Sequence, residues 1–303
     1  MSNDDDPQRP FARRYVGTEQ SLDKSEQIAS KLGFTMDREA VRHQARDLLS
    51  LYFSDIQKAL PAICQHITFD DFATEHMDVF AHHADGQPGV FFDQHFSQWN
   101  FRINTTIVIF AFFDLTHSQM QDLGELLEKQ LMQWHDPLMH EALREEEWPW
   151  VDGFVEAMPL ANALSLAMDV FAMCHEIAHH HLKHLDVDMA IQHELEADAL
   201  AYEFFLILQE KADRLQYAKL DAKVLVAPCL SFGYVDLLER WSAQQGGLQQ
   251  VPESLTHPRG TQRRKALMDR YAHRWSAGAR ELYDVLNECL EDFSRGLGIA
   301  HIG

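Results

Sequence analysis

Residues 174–201 read CHEIAHHHLKHLDVDMAIQHELEADALA, six histidines and six carboxylates in 28 positions. The stretch is entered from MPLANALSLAMDVFAMC (158–174) and left through AYEFFLIL (201–208), both largely apolar. Burying an ionised group without a partner is expensive, so charges set in core-like sequence need a common purpose. Within the stretch, His175-Glu176-Ile177-Ala178-His179 is H-E-x-x-H on an expected helix. Residues four apart share a helix face, one turn up, so both imidazoles can reach one metal ion. Glu176 lies one position round from His175, beside the metal, where it can take a proton from an attacking water.

A catalytic zinc takes three protein ligands and keeps one position open. A third histidine ten residues after the first is excluded, because position 185 is leucine. His184 misses that register by one and on an ideal helix points opposite to His175. The other source is a following helix, and ELEAD (194–198) offers acids. If the two helices form an antiparallel hairpin about the turn Leu185–Asp188, His179 lies level with Glu194 and His175 with Asp198. Glu194 then completes the site. Asp198 accepts a hydrogen bond from the far nitrogen of His175 and fixes its tautomer. Glu196 falls about 200° round from Glu194 on the helix. It is expected at the surface with Asp186 and Asp188. His180, His181 and His184 are expected on the solvated side of their helix, and His193 at the surface or behind the ligands. The expected cofactor is one Zn2+ per chain.

HEIAH followed by ELEAD resembles the gluzincin metallopeptidases, with their H-E-x-x-H and later E-x-x-x-D. By that resemblance His175, His179 and Glu194 match the zinc ligands, Glu176 the catalytic base and Asp198 the acid behind a ligand. LTHPRGTQRRKAL (255–267) is similar to a segment of the CAAX-protease and heat-shock branch, with His257, Pro258 and Arg263 on its T-H-P and arginine positions. That branch is usually membrane-embedded. A soluble relative such as the Lit-type phage-exclusion peptidases fits better, although only the metal motif matches them. The resemblance implies a soluble zinc endopeptidase. Amide hydrolysis also needs a donor to the oxyanion, and His257, Arg263 and Tyr202 are the candidates for that or for binding substrate. For His257 and Arg263 a purely structural role stands beside that one.

The rest of the chain bounds the setting. The formal net charge of −21 excludes the basic footprint that nucleic-acid binding requires and disfavours anionic lipid. It would speed association with a basic partner at low salt. Cys64, Cys174, Cys229 and Cys289 are far apart in sequence and form no CxxC, so free thiols in a cytoplasmic setting are expected. The N-terminus has no apolar signal region. TIVIFAFF (106–113) is shorter than the roughly 20 apolar residues of a span, and residues 158–174 run straight into charge. No membrane span is expected.

The expected fold is mainly α, an α+β zincin-like arrangement with a short sheet. Residues 1–17 are expected to be disordered and 18–150 to form a helical region with one strand near 102–114. Residues 151–303 are expected to carry the metallopeptidase hairpin. Residues 19–31, 36–60, 118–134, 218–244, 259–274 and 277–294 read as further helices, 81–100 as loop, and EEEWPW (145–150) as a break or cleft wall. The strand near 102–114, β-branched and aromatic, is expected to belong to the sheet that holds a substrate in extended form. Function is expected to be hydrolysis of a narrow set of intracellular proteins. A latent regulatory or toxin-type protein that a partner triggers is the second reading. A metal scaffold without catalysis is the third, and an intact Glu176 weighs against it.

Overall fold

The computed structural model describes residues 38–72, 77–84, 86–135, 151–188, 190–248, 254 and 257–299. The expectations for 1–17, 19–31 and EEEWPW (145–150) lie outside the described residues. The protein is mainly helical, with one three-stranded sheet. In chain order it comprises α1 (Arg38–Ala59), α2 (Pro61–Cys64), β1 (Thr68–Phe72), β2 (Val79–Ala84), β3 (Gln87–Asp93), α3 (Gln94–Phe112), α4 (His117–His135) and α5 (Val151–Leu182). There follow α6 (Ile191–Glu210), α7 (Ala227–Gln245), α8 (Gly260–Tyr271) and α9 (Ala277–Gly296).

Helix α5 is the axis. It packs on α3, α6, α7 and α1 and against β2 and β3. Its segment Glu156–Leu182 is long and apolar enough to cross a membrane by length and composition, and 61% of the most apolar window is buried inside the protein. One hydrophobic core runs from Leu49 to Ile299 through all these layers. All four cysteines are buried and free.

The strand expected at 102–114 is instead the second half of α3. Its β-branched residues are enclosed on nearly every side, with Ile103, Thr105, Thr106, Ile107, Val108 and Ile109 all buried. A helix apolar all round is a core helix, and that burial overrides strand propensity. The Thr105 and Thr106 hydroxyls donate to the carbonyls of Phe101 and Arg102, four residues back. The polar positions also keep helical spacing. Ser97, Asn100 and Asn104 lie along one face and meet Asp169 and Ser165 of α5.

Most of β2 and all of β3 lie in the stretch expected as loop (81–100), and the rest of that stretch opens α3. Gly86, at φ +78, turns β2 back onto β3. Strand β3 is central, antiparallel to β2 and parallel to β1. Pro88 sits in this central strand without costing a ladder bond, because the pairing with β1 starts one residue later, at Thr68 with Gly89. Asp93 then caps α3, its carboxylate accepting from the His95 N–H at 2.8 Å.

Asp169 is 2% exposed. Burial pushes its pKa up to about 7 from 3.8, against the Ser97 and Asn100 hydrogen bonds. Between those two pH values the folded chain keeps a proton that the unfolded chain has lost, so this group's contribution to stability falls as pH rises, by about 1.4 kcal/mol per unit. Asp169→Asn removes that dependence. From pH 5 to pH 7 the variant should gain about 2–3 kcal/mol on the wild type, read from urea midpoints at both pH values. Parallel curves would refute the assignment.

Candidate metal centre and active site

The α5–α6 hairpin sets the centre. Helix α5 presents His175 and His179 one turn apart, and α6 returns antiparallel with Glu194 and Asp198 one turn apart. The Nε2 atoms of His175 and His179 are 3.0 Å apart. Glu194 reaches both, Oε2 to His175 Nε2 at 3.4 Å and Oε1 to His179 Nε2 at 3.6 Å. Tetrahedral zinc with bonds of about 2.0–2.1 Å spaces its ligands roughly 3.3 Å apart. The two Nε2 atoms and the Glu194 carboxylate are therefore close enough to meet one ion of that size, and the three residues form a buried group able to hold a metal.

The opposite nitrogens are engaged as well. His175 Nδ1 lies 2.9 Å from Asp198 Oδ1. Behind Asp198 stands Arg263 of α8, whose Nε donates to Oδ2 at 2.7 Å and whose Nη2 donates to Oδ1. The same Nη2 is 3.6 Å from Glu194 Oε2, and the guanidinium lies 4.3 Å above the Phe232 ring. Helix α8 comes this close because Gly260 meets the backbone of α7: a Cβ there would lie 2.5 Å from the Phe232 carbonyl oxygen. Burial works against ionisation of Asp198, but Arg263 outweighs it and holds the carboxyl well below its ordinary range. Glu194 is also held low, its burial outweighed by His175 and then Arg263. His175 is pushed up to about 9 by Asp198 and Glu194 in spite of burial. His179 is pulled down, first by burial and then by the neighbouring His175.

Glu176 stands apart from the three donors. Its Oε2 accepts from the backbone N–H of Ala81 in β2 at 2.7 Å. Burial, chiefly, lifts its pKa to about 7, a value suited to taking and returning a proton near neutrality. Ala81 N–H is available because of the strand register. Asp93 N–H donates to the Asp78 carbonyl, so alternate pairs 80/91, 82/89 and 84/87 are the hydrogen-bonded ones. The backbone groups of Val79, Ala81 and His83 consequently point away from β3. Among the described residues no strand pairs with that outer edge of β2. His180, one turn beyond Glu176, places Nε2 2.7 Å from the Gly89 carbonyl oxygen of β3. Two side chains of α5 therefore fasten that helix to the sheet.

The remaining sequence candidates divide. Arg263 adjoins the ligands but is committed to Asp198. His257 is 65% exposed at the rim, its Nε2 3.9 Å from Glu194 Oε1. Tyr202 is away from the centre, fully buried, its hydroxyl donating to the Leu225 carbonyl and accepting from Trp275 Nε1. Both hydrogen-bonding roles are taken inside the core, so Tyr202 is no oxyanion donor. The solvated side expected of α5 holds for His181 alone. His180 is half-buried on β3, and His184 is 3% exposed. Sequence reasoning misses His184 because an ideal helix carries it away. Lys183, at φ 60, ends α5 and turns the chain back, and the expected turn at 185–188 was the available signal. It also misses the Ala81 contact, which is made by backbone and leaves no side-chain signature.

Residues 118–277, more than half of the chain, match the family model described as Peptidase U49. No curated protein and no solved structure matches the chain.

Proposed function

The chain belongs to the Peptidase U49 family, and from that premise we propose that it is a zinc-dependent endopeptidase of gluzincin type. The observation that carries the reading is the grouping of His175, His179 and Glu194 around one ion-sized centre, with the buried carboxylate of Glu176 beside them but outside the group. Bound zinc would polarise the scissile carbonyl and make water a nucleophile near neutral pH. The protein's own part follows from the geometry. An extended substrate segment adds to the outer edge of β2, where the Val79 and His83 backbone groups and the Ala81 carbonyl face outward. Ala81 N–H holds Glu176 Oε2, and Oε1 takes the proton of the attacking water. Glu176 then hands that proton to the leaving amine. His257, at the rim, is the remaining side-chain candidate to steady the oxyanion.

We further propose few cytoplasmic protein targets and a regulatory partner that controls access. His175, Glu176, His179 and Glu194 are between 4% and 8% exposed, so a folded surface cannot reach them and only an extended segment can. The test is a proteome-wide comparison of new N-termini in cells expressing wild type or Glu176→Gln. One or a few cuts at a repeated position are expected, and cuts scattered over many unrelated proteins would refute narrow specificity.

A further inference from the structure

We infer that His184, outside the H-E-x-x-H motif, is the residue that positions the metal ligand His179, and that Glu196 fixes His184 in turn. The inference rests on the zinc reading of the centre. His184 Nδ1 lies 3.1 Å from His179 Nδ1. That contact is on the edge of the His179 ring opposite Nε2, the atom facing Glu194. His184 is therefore not a fourth ligand. It is the counterpart, for His179, of what Asp198 is for His175.

The proton positions follow from this geometry. An imidazole that binds metal through Nε2 carries its proton on Nδ1. His179 Nδ1–H must then donate, and His184 Nδ1 must accept with its lone pair. The His184 proton consequently sits on Nε2, which faces Glu196 Oε2 at 3.4 Å. A chain of donors thus runs from the metal ligand to a surface carboxylate. Metal-bound histidines characteristically have such a partner on the second nitrogen, and it sets both ring orientation and basicity.

The surroundings hold His184 in this role. His193 of α6 stacks on its ring, with centroids 4.6 Å apart and planes 22° from parallel. Lys183 takes up the left-handed conformation, at φ 60, which is unfavourable for a residue with a Cβ, and that turn returns His184 to the centre. Glu196 is exposed and makes a second bond, accepting from Gln192 Nε2 at 2.9 Å. The acid that faces away from the metal therefore still acts on it, through His184.

The test measures zinc affinity by competition with a chromophoric chelator, together with the visible spectrum of the cobalt-substituted protein. His184→Leu fills the volume but cannot accept, and should weaken zinc binding about 10–100-fold and shift the cobalt bands. His184→Asn puts an amide oxygen where Nδ1 stood, and should restore affinity to within a few-fold and the spectrum with it. In zinc-loaded wild type, imidazole nitrogen NMR should show His184 as the Nε2–H tautomer. That measurement needs no variant to fold. Equal affinity and spectrum in wild type and His184→Leu, or an Nδ1–H tautomer at His184, would overturn the inference alone. Wild type that binds no zinc would overturn the peptidase reading and this inference together.

Discussion

Glu176→Gln should lower turnover by about a thousandfold or more while the purified protein keeps its zinc. The size follows from the role: a positioned general base is worth about 10²–10⁴ in rate, and an amide cannot carry the proton. Retention of zinc follows from the geometry, because Glu176 is not among the three clustered donors. Glutamine also preserves the local structure. Its amide oxygen can still accept from the Ala81 N–H that now binds Oε2, so α5 stays fastened to β2. Elemental analysis and turnover on a cleaved peptide identified from the new termini check both halves. A variant within tenfold of wild-type turnover would remove Glu176 from the chemistry. A variant that lost both zinc and activity would make Glu176 a ligand.

Glu194→Ala should cost at least about a hundredfold in zinc affinity, more than the roughly 10–100-fold expected of Asp198→Ala. Glu194 spans both histidine Nε2 atoms, at 3.4 and 3.6 Å, and no other carboxylate among the described residues joins that group. Its loss leaves two imidazoles and removes the carboxylate from the group. Glu196→Ala, two residues on, should cost only a few-fold, since Glu196 reaches the centre through His184 alone. Thermal unfolding gives a second readout. A metal that binds only the folded chain stabilises it by mass action, so a chelator should lower the melting temperature of wild type and leave Glu194→Ala nearly unmoved. If Glu196→Ala weakens zinc binding more than Glu194→Ala does, the ligand assignment is wrong.

The mainly helical fold and the geometry of the α5–α6 hairpin were legible because both rest on local periodicity. Two histidines four apart on one helix and two acids four apart on the next leave one antiparallel register in which they meet, and the turn between them is short. Local periodicity did not decide residues 81–114. There the β-branched run TIVIFAFF looks like a strand until its neighbours are known, and strand preference depends on what surrounds the side chains. Enclosure between α4, α5 and α9 made it helix α3. The sheet went instead to 68–93, with the turn at Gly86 between β2 and β3.

From the sequence alone came the H-E-x-x-H face, the later acids at matching spacing, and the exclusion of a third histidine at 185. These are properties of helical rise and rotation, which neighbours barely alter. Only the tertiary structure brought α8 against the hairpin and so committed Arg263 to Asp198. It alone sent Tyr202 into the core, set the outer edge of β2 beside Glu176, and returned His184 to His179 through one left-handed residue. Each of those depends on contacts between segments far apart in the chain or on a single backbone angle, and neither is written in residue spacing.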